Sequence, residues 1–180
     1  AGGAANAFSA TSTHTMAGGA TLDLGGFNQA VGALAGAGTV GNSGAVAALR
    51  TGGTGASTTF SGVIQGPLAL VKEGSGTLIL EGANTYSGGT TVSGGILQGN
   101  TVSLRGNILN NANVTFAQST SGSYAGNMSG SGSVTVQDGG TVTFTGTNSY
   151  SGGTSVLGGI LQGTTLSLQG NILNNANVTF

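Results

Sequence analysis

Cysteine and tryptophan are absent from this sequence of 180 residues, proline occurs once, and only seven side chains carry a formal charge. Without cysteine there is no disulfide framework. A small secreted core usually leans on disulfides, but a long stack of coils is buttressed by its neighbours and needs none, so their absence is compatible with export. The net charge is −1, and the cations Arg50, Lys72 and Arg105 are scattered along the chain. With no basic patch, nucleic acid and anionic membrane are not expected partners. No apolar run reaches the roughly 20 residues a spanning helix needs, so membrane attachment is expected only through a barrel outside this segment. The first residues lack the charged start and apolar core of a cleavable signal.

What is plentiful is glycine, at 38 residues, with threonine, serine and asparagine, while 37% of residues are hydrophobic and recur at regular intervals. That regularity argues against disorder. It suits short strands joined by tight turns, Gly and Asn supplying left-handed positions and Thr and Val the strands.

Spacing resolves the pattern. GILQGNTVSLRGNILNNANVTF (Gly95 to Phe116) returns as GILQGTTLSLQGNILNNANVTF (Gly159 to Phe180), shifted by 64 in numbering. Self-similarity at fixed period marks a repeat architecture. The chain divides into less regular coils (1–52), a first unit (53–116) and a second (117–180), with more coils expected beyond or stacked on it. A large apolar residue, a spacer and glycine recur at Phe60/Gly62, Leu80/Gly82, Leu104/Gly106, Tyr124/Gly126, Phe144/Gly146 and Leu168/Gly170, in steps of 20, 24, 20, 20 and 24. These steps predict an all-β, right-handed parallel β-helix with coils of about 20–24 residues and three coils per 64-residue repeat. Strands are expected at Thr90–Val92, Ile96–Gln98 and Thr101–Leu104, then at Ile108–Leu109, Val114–Phe116 and Ser121–Tyr124. Alternation sends Leu78/Leu80, Val102/Leu104, Val142/Phe144 and Leu166/Leu168 inward. At about 4.8 Å per coil, eight coils make a rod about 40 Å long.

Three surface features follow from this register. The Asn-Thr/Ser-Tyr-Ser-Gly-Gly loops are expected to protrude from one edge every third coil, offering Asn84 and Tyr86, then Asn148 and Tyr150, as contacts. Ser57, Thr77, Thr101, Ser121, Thr141 and Thr165 are expected to form one outward hydroxyl column, beside a second that includes Ile79. Its Thr77, Thr101, Thr141 and Thr165 are candidate contacts for ice, although mixed Ser/Thr content and Ile79 degrade the lattice. The bland alternatives are a tyrosine packed against the rod and ordinary solvated strand hydroxyls.

Titratable chemistry is sparse. Asp23, Glu73, Glu81, Asp138 and His14 form no recurring pair, so no catalytic centre is expected. Calcium-binding β-rolls place aspartate in each repeat, but Gly88-Gly89-Thr90-Thr91-Val92 and Gly152-Gly153-Thr154-Ser155-Val156 contain none; no metal or other cofactor is expected. The Asn107–Asn113 and Asn171–Asn177 clusters suit turns and amide ladders.

The ordered series Ser57-Thr58-Thr59-Phe60-Ser61-Gly62, Leu70-Val71-Lys72-Glu73-Gly74-Ser75-Gly76-Thr77-Leu78-Ile79-Leu80 and Asn84-Thr85-Tyr86-Ser87-Gly88-Gly89 resembles the passenger-associated repeat of bacterial autotransporters, the type V secreted proteins of Gram-negative outer membranes. The second copy departs from it at Val136, in place of Lys72, and at Asp138-Gly139-Gly140. The resemblance implies a β-helical passenger exported through an outer-membrane barrel and folded at the cell surface. It implies a stalk or fibre segment supporting adhesion, with partners among neighbouring copies stacked coil-on-coil or end to end, surface glycans or other cells. A self-assembling extracellular filament and a glycan- or ice-binding solenoid surface are the alternatives.

Overall fold

The computed structural model describes residues 3–180. Its strands are three to five residues long, with a few of two, because glycine or asparagine punctuates each apolar-polar alternation. Every pairing between them is parallel. Parallel strands need a crossover to return to register, and here the crossover is the rest of the coil. The chain is a β-solenoid.

Each coil visits three faces in order. The first face is a ladder of nine strands: Thr13–Met16, Ala33–Gly36, Thr58–Phe60, Thr77–Leu80, Ile96–Gly99, Asn113–Ala117, Ser133–Gln137, Thr154–Val156 and Ile172–Asn174. The third is a ladder of six, from Gln29–Val31 to Met128–Ser129. The second face is split into two ladders of four, Thr21–Asp23 to Thr85–Tyr86 and Gly122–Tyr124 to Asn177–Thr179. Nine stacked strands give a rod about 38 Å long.

Alternation builds the core. Leu78, Leu97, Val114 and Val134 lie directly above one another on the first face, as do Leu49, Leu70, Thr90, Ile108 and Met128 on the third. All nine are buried, each large apolar side chain contributing about 1.5–3 kcal/mol on leaving water. Phe116, Tyr124 and Phe144 meet edge to face, with centroids 5.1 Å apart for the two phenylalanines and 5.2 Å for Phe116 and Tyr124.

The pairing corrects the coil count. By its register Leu80 stands below Gly99, not Leu104: Thr77 pairs with Ile96, Ile96 with Asn113, Asn113 with Ser133 and Val134 with Thr154. Positions one repeat apart therefore fall on different faces. Thr77–Leu80 is on the first face and its counterpart Thr141–Phe144 on the second; Leu68–Lys72 is on the third and its counterpart Ser133–Gln137 on the first. One repeat is three coils and a third, so each successive copy is turned by about 120° around the rod. Steps along the first face range from 17 (Ile96 to Asn113) to 24 (Gly36 to Phe60), a wider spread than the sequence spacing predicts.

The cause is a segment expected as a strand. Asn100–Leu104 forms one helical turn: Leu104 N–H donates to the Asn100 carbonyl at 2.9 Å, and Asn100 Oδ1 accepts from Val102 and Ser103 N–H. Ser103 Oγ reciprocally accepts from Asn100 N–H at 2.9 Å, the geometry of a capping box. Thr164–Leu168 repeats it through Thr164 N–H to Ser167 Oγ and Leu168 N–H to the Thr164 carbonyl at 2.9 Å. A turn does not alternate as a strand does, so Val102 and Leu166 are 55% and 63% exposed rather than inward, while Leu104 and Leu168 stay buried. Their side chains fill the space beside Gly99 and Gly163 where a Cβ would stand. Gly99→Val should accordingly lower stability by about 2–3 kcal/mol through overpacking, read as a shift of the urea midpoint at unchanged slope.

The register itself has a direct test. A cysteine pair at Thr77 and Ile96 should close with a short bifunctional thiol reagent, and a pair at Thr77 and Thr101 should not. Efficient closure of the second pair would restore the three-coil register.

Candidate surface groove

The eight residues singled out from sequence do not form one edge or one column. Asn84, Tyr86, Asn148, Tyr150 and Thr101 are buried, Thr77 and Thr141 half-buried, and Thr165 exposed. Thr77 belongs to the first face, where its neighbour is Ile96; Thr141 belongs to the second, beside Ile160. Thr101 and Thr165 lie in the two helical turns. The hydroxyl column is therefore replaced by three unconnected pieces. The two Asn-Tyr loops likewise leave from different corners: the first between the second and third faces, the second between the third and the first. Only Thr85, Ser87 and Gly88 of the first loop are exposed around its buried Asn84 and Tyr86.

Inside, these loops tie coils together. Asn84 Oδ1 accepts from Ile64 N–H at 2.7 Å in the coil before, and its Nδ2 donates to the Ser103 carbonyl at 2.8 Å in the coil after. Asn148 does the same with Met128 N–H at 2.8 Å and the Ser167 carbonyl at 2.6 Å. Each tyrosine hydroxyl meets a threonine in the next strand, Tyr86 with Thr90 at 2.7 Å and Tyr150 with Thr154 at 2.6 Å. Burial pushes both tyrosines above the usual phenol range; the Thr90 bond and the backbone and charge of Arg105 oppose it at Tyr86. Gln118, which sequence reasoning did not single out, spans three coils too, accepting from Thr101 N–H at 2.9 Å and donating to the Thr141 carbonyl at 2.9 Å.

Charged side chains are few and mostly accounted for. Lys72 is buried, and its ammonium donates to the carbonyls of Glu73, Gly74 and Gly94 at 2.6, 3.1 and 3.1 Å, while burial holds its pKa below the usual lysine range. Arg50 and Glu73 form a surface ion pair. Asp23 accepts from Ser43 Oγ and from the N–H groups of Gly25 and Ser43, which hold its carboxyl at about 2. A depressed carboxyl contributes fully above the ordinary value and loses the contribution as pH falls through the folded one. Between pH 4 and 2 the melting temperature should therefore fall more steeply in the native chain than in Asp23→Asn. Among the described residues no three His, Cys, Asp or Glu side chains converge as a metal site would require.

The split in the second face creates a groove of about 510 Å³. The helical turn replaces a strand between Thr85–Tyr86 and Gly122–Tyr124, and the groove opens over it. Thr85 and Ser87 line it from one coil, Arg105 and Asn107 from the next and Ser123 from the third. All five are exposed, and no carboxylate lines the groove. A second groove of about 430 Å³ on the same face holds Asp23, Ser43 and Gln65. The arrangement offers hydroxyls, an amide and a cation for binding, and no paired acid and base for bond cleavage.

Fold and site together define a repetitive, parallel β-solenoid with a polar groove and, among the described residues, no convergent catalytic groups. The passenger-associated-transport-repeat family matches residues 70–98 and 134–162, so these two segments carry that repeat. The chain is 41% identical over 87 residues to the adhesin BmaC autotransporter of Brucella suis biovar 1 (strain 1330). That alignment covers 46% of this chain and 2% of the relative, so the chain spans a small fraction of that protein's length. No solved structure matches the chain.

Proposed function

We propose that this segment is a stalk of a surface-displayed autotransporter, holding adhesive parts of the passenger away from the outer membrane. The observation that supports this most is the unbroken nine-strand ladder of the first face, which runs the length of the described rod over a continuous apolar core. Adhesin-type passenger repeats, together with a groove that lacks paired acids and bases, favour a mechanical role over catalysis. The same likeness supports secretion to the cell surface.

The test is excision of residues 85–148 from the full-length protein, which joins Asn84 to Ser149 and removes one repeat in frame. Surface display and adhesion should persist, with the display height reduced by about 16 Å. Loss of adhesion at unchanged display would overturn the stalk reading and place binding within the segment.

A further inference from the structure

The groove over Asn100–Leu104 has a chemistry the stalk role does not use. Of the three cations, Lys72 is satisfied by backbone carbonyls and Arg50 by Glu73. Arg105 is exposed and has no ion-pair partner among the described residues. Its counterpart in the second copy is Gln169, so the repeat does not need a guanidinium there to fold. The charge stands in a groove whose other polar lining includes Thr85, Ser87, Asn107 and Ser123, with no carboxylate to neutralise it.

We propose that this groove binds an acidic saccharide, with Arg105 paired to a sugar carboxylate. The guanidinium presents a planar fork of donors that matches a carboxylate bidentately. The hydroxyls of Thr85, Ser87 and Ser123 each both donate and accept, as ring hydroxyls of a sugar require. Because these groups come from three successive coils held by Asn84 and Gln118, the site is pre-organised and loses little entropy on binding. A volume of about 510 Å³ accommodates one to two sugar residues. The tyrosine rings beneath are buried and serve as the floor. This assignment is independent of the stalk reading, since a stalk need not bind anything along its side.

The experiment titrates the chain with oligogalacturonate and sialyllactose, with lactose and polyglutamate as controls, by calorimetry at low and high salt. The acidic sugars should bind, weaken with added salt, and lose at least tenfold in affinity in Arg105→Gln, which borrows the residue of the second copy. Thr85→Val with Ser123→Ala should weaken acidic sugars further than it weakens polyglutamate. Circular dichroism and melting of Arg105→Gln should match the native chain, separating lost binding from lost fold. Absence of binding by the native chain, equal affinity in Arg105→Gln, or equal affinity for polyglutamate would each overturn the proposal.

Discussion

Gly82→Ala should destabilise the rod by about 3 kcal/mol, the upper end of what overpacking costs, and Gly82→Asn should be no better. A Cβ at Gly82 would run into the carbonyl oxygen of Gly62 in the coil below. That obstacle is backbone at the corner between Thr58–Phe60 and Val63–Gly66, so it cannot turn aside as a flexible side chain would. Gly106 should behave differently. Its φ is 64°, with no neighbouring atom closer than 3.5 Å to an added Cβ. The cost there is the left-handed conformation itself, about 1–2 kcal/mol for alanine, and Gly106→Asn should recover most of it because asparagine tolerates that region. Urea midpoints of the four variants check the pattern. Rescue of Gly82 by asparagine, or a cost at Gly106 as large for asparagine as for alanine, would contradict the geometry.

Replacing Asn148 by leucine should cost about 4 kcal/mol, although the two side chains are close in volume, because two buried polar groups lose their partners at once. The amide is buried and bridges Met128 N–H to the Ser167 carbonyl. Leucine leaves one donor and one acceptor unpaired, each worth about 1–3 kcal/mol when buried. Asn148→Asp separates the two halves of the bridge. An ionised carboxyl still accepts from Met128 but cannot donate to Ser167, and burial without a counter-charge raises its pKa. With a raised folded pKa, stability is highest when the acid is protonated and is lost as pH rises through that value. The Asn148→Asp variant should thus be most stable near pH 4 and weakest at pH 7, opposite to the trend at Asp23. A flat pH profile would show that Asn148 does not bridge the two coils.

The glycine contrast also explains what could be read in advance. The all-β solenoid, its parallel stacking, the internal repeat and most strands, including Thr90–Val92 and Ile96–Gln98 (one residue longer in the structure), are legible because alternation and self-similarity are local and visible. The coil count is not. The apolar-spacer-glycine signature looks the same at Leu80/Gly82 and at Leu104/Gly106, yet the first glycine answers a close backbone approach and the second a left-handed turn. Counting both as one position lengthened some coils and locked the repeat to three turns. The signal that separates them was present: Asn100 or Thr164 followed three positions later by Ser103 or Ser167 spells a capped helical turn. Of the site, the repeated loop marks Asn84 and Tyr86 as expected surface contacts, and the structure buries both. Burial inside the corner, however, depends on which coil lies above and below, and that follows only from the register. In the sequence Arg105 is only one of three scattered cations, because the groove beside it is made by a missing strand.

The third of a turn left over in each repeat has a mechanical consequence. Coils that carry a helical turn in place of a strand are short on that side, and a stack shortened always on one side would bend like an arch. Here the short side moves by about 120° from one copy to the next, so successive deflections point in three directions and cancel over every three copies. A chain of such repeats is thereby a straight shaft whose irregularities wind around it as a screw thread, and a repeat number that is a multiple of three restores the original heading.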